Sequence, residues 1–187
     1  MKYIFQIVLL VSAIFFASCE NKKNYKTTKS NTKLVSSFEK IESSYSNITF
    51  INKLTPDLTN KANLFDYDYF YNGSGVGIAD FNNDGLKDVV LSANQTENRL
   101  YINKGDLIFE DITSQSNINE NKKWSSGIAI ADVNNDGWMD IYISQGGPYS
   151  SSERKNLLYI NQKDLTFKEL ANEYGLDDMG ISTHGLG

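Results

Sequence analysis

Two stretches of the chain read almost as one sentence. Gly75–Val90 is GVGIADFNNDGLKDVV and Gly127–Tyr142 is GIAIADVNNDGWMDIY. Each sets Asp-x-Asn-x-Asp-Gly-x-x-Asp between an apolar run and a β-rich run. The spacing places side-chain oxygens at loop positions 1, 3, 5 and 9, a backbone carbonyl at 7, and a glycine at 6 where the chain must turn sharply. The first loop offers Asp80, Asn82, Asp84 and Asp88 with the carbonyl of Leu86. The second offers Asp132, Asn134, Asp136 and Asp140 with the carbonyl of Trp138. Three carboxylates, an amide and a carbonyl within nine residues suit a hard cation that takes 6–8 oxygens, so the pattern predicts two Ca²⁺ sites. The plainer alternative is an Asp/Asn/Gly turn between strands, since these residues tolerate left-handed backbone and cap themselves. A plain turn needs neither the aspartate at position 9 nor the recurrence of the whole pattern.

Outward from the loops, repetition continues. β-like runs at 75–81, 88–94, 98–104 and 107–113 are matched by runs at 126–133, 140–146, 156–162 and 165–171. Arg99-Leu-Tyr-Ile-Asn103 answers Leu157-Leu-Tyr-Ile-Asn161, and Asp80 and Asp132 are 52 residues apart. Four short antiparallel strands per roughly fifty residues predict an all-β fold of β-propeller blades. The expected domains are repeat 1 at 75–125, repeat 2 at 126–183, and the start of a third at 184–187, where His184-Gly185 aligns with Ser126-Gly127. Two blades and the first residues of a third leave unpaired edges. The chain is therefore expected to be a fragment of a full propeller, and marginal, open or self-associating alone. Repeat 2 carries six extra residues between Asp140 and Tyr159, which makes Gly146–Lys155 (GGPYSSSERK) an insertion at a hairpin tip where binding could sit.

The N-terminal third reads differently. Residues 1–19, MKYIFQIVLLVSAIFFASC, have an early lysine, an apolar run from Ile4 to Phe16, and small residues before Cys19. That is a secretory signal with an apolar run too short to span a bilayer comfortably. The Ala-Ser-Cys ending resembles a bacterial lipobox, with Phe16 where leucine is usual. Cys19 is the only cysteine, so no disulfide partner exists within the chain, and it is assigned as the lipidation site. An ordinary signal with Cys19 as a bystander is the alternative. Residues 20–35 form a polar, lysine-containing tether that cannot bury enough to order itself. Residues 36–74 are read as a β segment, with a strand near 47–52 and an aromatic run, Phe65–Tyr71, alternating with aspartates as a packed strand face.

At YFYNGSGVGIADFNNDGLKDVVLSANQTENRLYINKGDLIFEDIT the chain resembles FG-GAP/VCBS repeats, the calcium-loop blades of integrin-α-type β-propellers. It is also similar to the N-terminal part of bacterial surface lipoproteins associated with ASPIC/UnbV domains. The resemblance covers about residue 45 to the C-terminus, and members are typically much longer. It implies calcium-stabilised scaffolding, binding of protein, carbohydrate or matrix at the exported face, and the ten loop residues named above as metal residues.

Other functions are less well served. An EF-hand needs a bidentate acid at position 12, but those positions are Leu91 and Ile143. Dockerin loops continue into helices, whereas Val89-Val90-Leu91 and Ile141-Tyr142-Ile143 are strand formers. A net charge of −5 and a pI near 4.9, with no basic stripe in the folded part, argue against a nucleic-acid partner. The single histidine, His184, lies outside any motif, and no nucleophile–base pair stands out, so no catalytic residues are assigned. The reading is a non-catalytic, calcium-stabilised binding or scaffold module. It is exported, anchored to the membrane by lipid at Cys19, and placed in the cell envelope at the outer membrane or cell surface, with a protein or carbohydrate ligand. The alternative is an accessory component of glycan uptake or degradation, or a Ca²⁺-dependent hydrolase or lyase in a longer form.

Overall fold

The computed structural model describes residues 38–118 and 123–183. Contacts divide the chain into Met1–Glu39 and Lys40–Gly187. Of the first unit only Phe38 and Glu39 are described, so the fold below is that of the second. The signal, Cys19, the tether and the start of the third repeat lie outside the described residues.

The fold is all-β, built as two four-stranded antiparallel sheets with strictly sequential order. The first holds β1 (Val76–Ala79), β2 (Asp88–Leu91), β3 (Arg99–Asn103) and β4 (Phe109–Asp111). The second holds β5 (Ser125–Ala131), β6 (Asp140–Gln145), β7 (Leu157–Asn161) and β8 (Phe167–Glu169). Registers repeat as well: Ala79 faces Asp88 and Tyr101 faces Asp111, as Ala131 faces Asp140 and Tyr159 faces Glu169. These are two propeller blades, with strands somewhat shorter than most of the runs the sequence predicts. A short helix (Thr113–Ser116) follows β4 and ends at Asn117, whose φ of 62° is the left-handed stop common after helices.

One core joins the blades. Phe81, Val90, Leu100 and Ile102 of the first pack with Ile141, Ile143, Tyr159 and Phe167 of the second, and Ile128 and Ile130 lie against them. Glycines within and just before β1 permit that approach. A Cβ on Gly75 would lie 2.7 Å from the Ile128 nitrogen, and one on Gly77 would lie 2.6 Å from Ile130 Cδ1. The opposite face of β1 is open. Val76 and Ile78 are 59% and 63% exposed, whereas Ile128 and Ile130, their counterparts one repeat later, are half-buried.

The chain leaves each blade in the same way. The Ser125 N–H donates to the Ala93 carbonyl at 2.9 Å, and the Ser182 N–H donates to that of Gln145 at 3.1 Å. Ser74 Oγ and Ser126 Oγ then donate to the carbonyls of Ser125 and Ser182.

The segment before the repeats corrects the sequence reading. It contains no strand among its described residues, only α1 (Ser43–Ser46) and an isolated bridge between Asp57 and Ala62. Residues 47–55 instead form an extended arm with alternating exposure, joined to blade 1 by side chains rather than by a ladder. Asn52 and Asn94 exchange hydrogen bonds of 2.7 and 3.1 Å, and Thr49 lies beside the phenol of Tyr101. Phe65–Tyr71 is a run of turns, not a strand face. Phe70 is fully buried and Tyr67 half-buried against Trp124, while Phe65 is 90% exposed.

Candidate functional site

The predicted metal loops are the connections β1–β2 and β5–β6, and the two share one backbone conformation. Asn83 and Asn135 both have φ of 58°, and Gly85 and Gly137 have 87° and 85°. Only glycine takes such values without a Cβ penalty, which accounts for position 6 of the pattern.

The side chains repeat just as closely. Asp80 accepts the N–H groups of Asp84 (3.1 Å) and Gly85 (2.8 Å), and Asp132 those of Asp136 (2.9 Å) and Gly137 (2.8 Å). The Oδ1 atoms of Asn82 and Asn134 accept from Asp84 and Asp136, each at 3.1 Å. Asp84 accepts from Leu86 at 2.8 Å and Asp136 from Trp138 at 2.9 Å. Backbone donors thus hold every acid and amide of positions 1, 3 and 5 on the inside of its turn.

Position 9 is different in kind. Asp88 is fully buried and accepts the N–H groups of Phe81 (2.8 Å) and Asn103 (2.9 Å). Asp140 is 1% exposed and accepts those of Val133 (2.9 Å) and Asn161 (2.8 Å). Burial raises both carboxyl groups above their ordinary range. The four N–H bonds work against that rise, and the charges of the other two aspartates in each loop add to it. Asp84 is shifted down, first by the Leu86 N–H and then by Asn82. In Asp136 desolvation pushes upward but is outweighed by Trp138, Lys163 and Asn134.

The donor chemistry fits a hard cation: oxygens only, three of them anionic in each loop, with lone pairs left beyond the backbone bonds. The convergence is incomplete, however. Among the described residues no three Asp, Glu, His or Cys side chains are gathered as an ion would hold them. Asp80 and Asp84, with Asp132 and Asp136, face the loop backbone, while Asp88 and Asp140 are drawn into the core.

Pattern reading missed the braces beneath the loops. Asn103 Nδ2 donates to the Lys87 carbonyl (3.0 Å). Asn161 Nδ2 donates to Met139 (3.2 Å) and, across the blade boundary, to Phe81 (2.9 Å). The signal was the recurrent Leu-Tyr-Ile-Asn. Asn83 Nδ2 also reaches the Gly137 carbonyl at 3.2 Å, so the two loops touch.

Residues 80–143 match the family described as an FG-GAP-like repeat. The matched stretch runs from the first acid of loop one, through both loops, into β6, and so takes in the blade boundary. A stretch of 93 residues is 31% identical to cartilage acidic protein 1 of Xenopus tropicalis. That alignment covers 49% of this chain and 14% of the relative, so the chain spans a small part of the protein it resembles.

Proposed function

We propose that this chain is a non-catalytic binding or scaffold module of the cell envelope, whose FG-GAP-like blades are locked by two Ca²⁺ ions and which is held to the membrane by lipid at Cys19. The observation that carries the reading is the doubled loop, in which five oxygen-bearing positions recur in one backbone conformation, ten residues in all. Asp80, Asn82, Asp84, Asp88 and the Leu86 carbonyl would hold one ion. Asp132, Asn134, Asp136, Asp140 and the Trp138 carbonyl would hold the other. Bound Ca²⁺ supplies positive charge that relieves repulsion among three carboxylates. Asp88 and Asp140 tie that charge balance to the core, because each is bonded to the strand that follows in its own blade. Outward-facing connections at the other end of the blades are then free to present a ligand surface to protein or carbohydrate.

The test is a thermal melt of the chain with and without millimolar Ca²⁺, repeated on the Asp80→Ala/Asp132→Ala double variant. At free Ca²⁺ about 100-fold above Kd, one site adds about 2.7 kcal/mol. The expected outcome is a calcium-dependent rise in Tm that the double variant loses. A melt indifferent to calcium would reduce both loops to turns.

A further inference from the structure

A groove of about 1070 Å³ lies where the insertion of repeat 2 meets the N-terminal arm. In an antiparallel blade the β1–β2 loop lies at one end and the β2–β3 connection at the other. The β2–β3 residues Gln95 and Thr96 and the β6–β7 residues 148–153 therefore put the groove at the end away from the metal loops. Its third wall is the turn that includes Lys53, Asp57 and Asn60.

The walls are built before any ligand arrives. Gln95 accepts the Thr55 N–H at 2.5 Å, and its side chain lies close enough to the Tyr149 phenol to affect its titration. The Tyr149 ring stands edge-on to Trp124, with centroids 6.3 Å apart, and the Arg154 guanidinium donates to the Tyr149 carbonyl at 2.8 Å. On the facing wall the Asp57 N–H donates to Ala62 at 2.8 Å, while the Asp57 carboxylate gathers Thr59 and Asn60. Glu153 uses Oε2 for Ser150, leaving Oε1 to accept from a ligand.

The chemistry of these walls selects the ligand. Two carboxylates, Asp57 and Glu153, against one lysine make the groove net negative, which repels nucleic acid and acidic polymers. Apolar surface from Pro56, Leu58, Pro148 and Tyr149 is interleaved with the polar groups instead of forming a slot, so a lipid chain is poorly served. A peptide would want an open strand edge, but the walls are turns and connections, and the Asp57–Ala62 bridge already closes one of them. What remains is a molecule that alternates hydroxyls with C–H faces. The volume is at the top of the range of about 300–1,000 Å³ usual for small-ligand sites, room for several sugar units.

We propose that this groove binds a neutral oligosaccharide chain, with sugar hydroxyls bonded to Asp57, Asn60 and Glu153 and a C–H face laid on Tyr149. The assignment rests on the binding-module reading and names its ligand class; the metal loops hold the blades at the opposite end and do not touch the sugar.

The experiment is native electrophoresis of the chain, in millimolar Ca²⁺, through gels containing galactomannan, xylan, laminarin or dextran, with polygalacturonate as the acidic comparison. At least one neutral polysaccharide retards the protein and polygalacturonate does not. Thr96→Trp, which fills the groove while removing no side-chain hydrogen bond among the described residues, and Glu153→Gln each weaken retention by about fivefold or more without moving the melt. Retention by none of the neutral polymers overturns the proposal, as does retention unchanged in Thr96→Trp. A displayed peptide that Thr96→Trp blocks, with no polysaccharide retained, would give the groove to a peptide instead. The calcium melt on the same samples separates the two readings: a calcium response without retention fails the groove alone, and retention without a calcium response fails the metal lock alone.

Discussion

Lys163, with φ of 72°, occupies the hairpin position that Gly105 holds in the first blade with φ of 94°. A lysine there is held in a conformation that favours glycine, and its Nζ reaches Asp136 Oδ2 at 3.3 Å. Blade 2 thus carries its own cation beside the second loop, a charge that the proposed Ca²⁺ would have to compete with. Lys163→Gly should relieve the backbone and strengthen calcium binding at that loop by roughly a fewfold, as for the loss of one exposed competing pair. Calorimetric titration would show it; an unchanged or weaker Kd would mean that Lys163 does not oppose the ion. At the blade boundary, Gly75 and Gly77 should respond differently to alanine. The new Cβ at 75 meets the backbone of Gly127 and Ile128, which cannot move aside, while at 77 it meets the side-chain ends of Ile130 and Val90. Gly75→Ala should cost about 1–3 kcal/mol or more and Gly77→Ala less, read from urea midpoints at constant slope. The reverse order would mean that the boundary is looser than these distances allow.

The elements were legible where chemistry repeats. The eight strands fall within or across the eight runs marked by β-branched residues and bounded by Asp/Asn/Gly loops, because each run has a counterpart that confirms its limits. The arm before them has no counterpart, and local patterning misled. Phe65–Tyr71 alternates aromatics with aspartates, as a half-buried strand would, yet Asn63 caps Phe65 and Asp66 (2.8 and 3.2 Å) and turns the chain. Residues 48, 50 and 52 do alternate in burial, but no ladder pairs them, and Asn52 is held by Asn94 of blade 1, which no single-segment pattern reveals. The insertion was visible as extra length; its anchorage was not. Gly147, with φ of 84°, lets the loop pass Trp124 so closely that a Cβ would lie 2.4 Å from the indole's own Cβ. Trp124 in turn gathers Tyr67, Phe70 and Tyr149. Trp124→Ala should therefore cost about 3–5 kcal/mol and release the arm and insertion together. Hydrogen exchange would find both segments losing protection; loss confined to one would show that the indole does not join them.

At the scale of the molecule, the loops and the core are one system. The donor pattern was readable from spacing alone. That position 9 would be buried, with its carboxylate bonded to the loop backbone and to the third strand of its blade, was not, because it depends on the asparagine that ends β3 or β7 folding back under the loop. The shared core makes the two blades a single packing unit, and Asn161–Phe81 and Asn83–Gly137 carry that unity into the loops. Calcium at one loop should consequently support the other. In a double-mutant cycle of Asp80→Ala and Asp132→Ala under saturating Ca²⁺, the first substitution weakens the second site through these contacts, so the pair together should cost less than the two singles added. The expected interaction energy is about 0.5–3 kcal/mol, as for groups in one network. It can be read as a stability term only if circular dichroism and tryptophan fluorescence unfold together, the behaviour a shared core demands. Additivity to within about 0.3–0.5 kcal/mol would mean that each loop locks its own blade and that the cross-blade bonds transmit nothing.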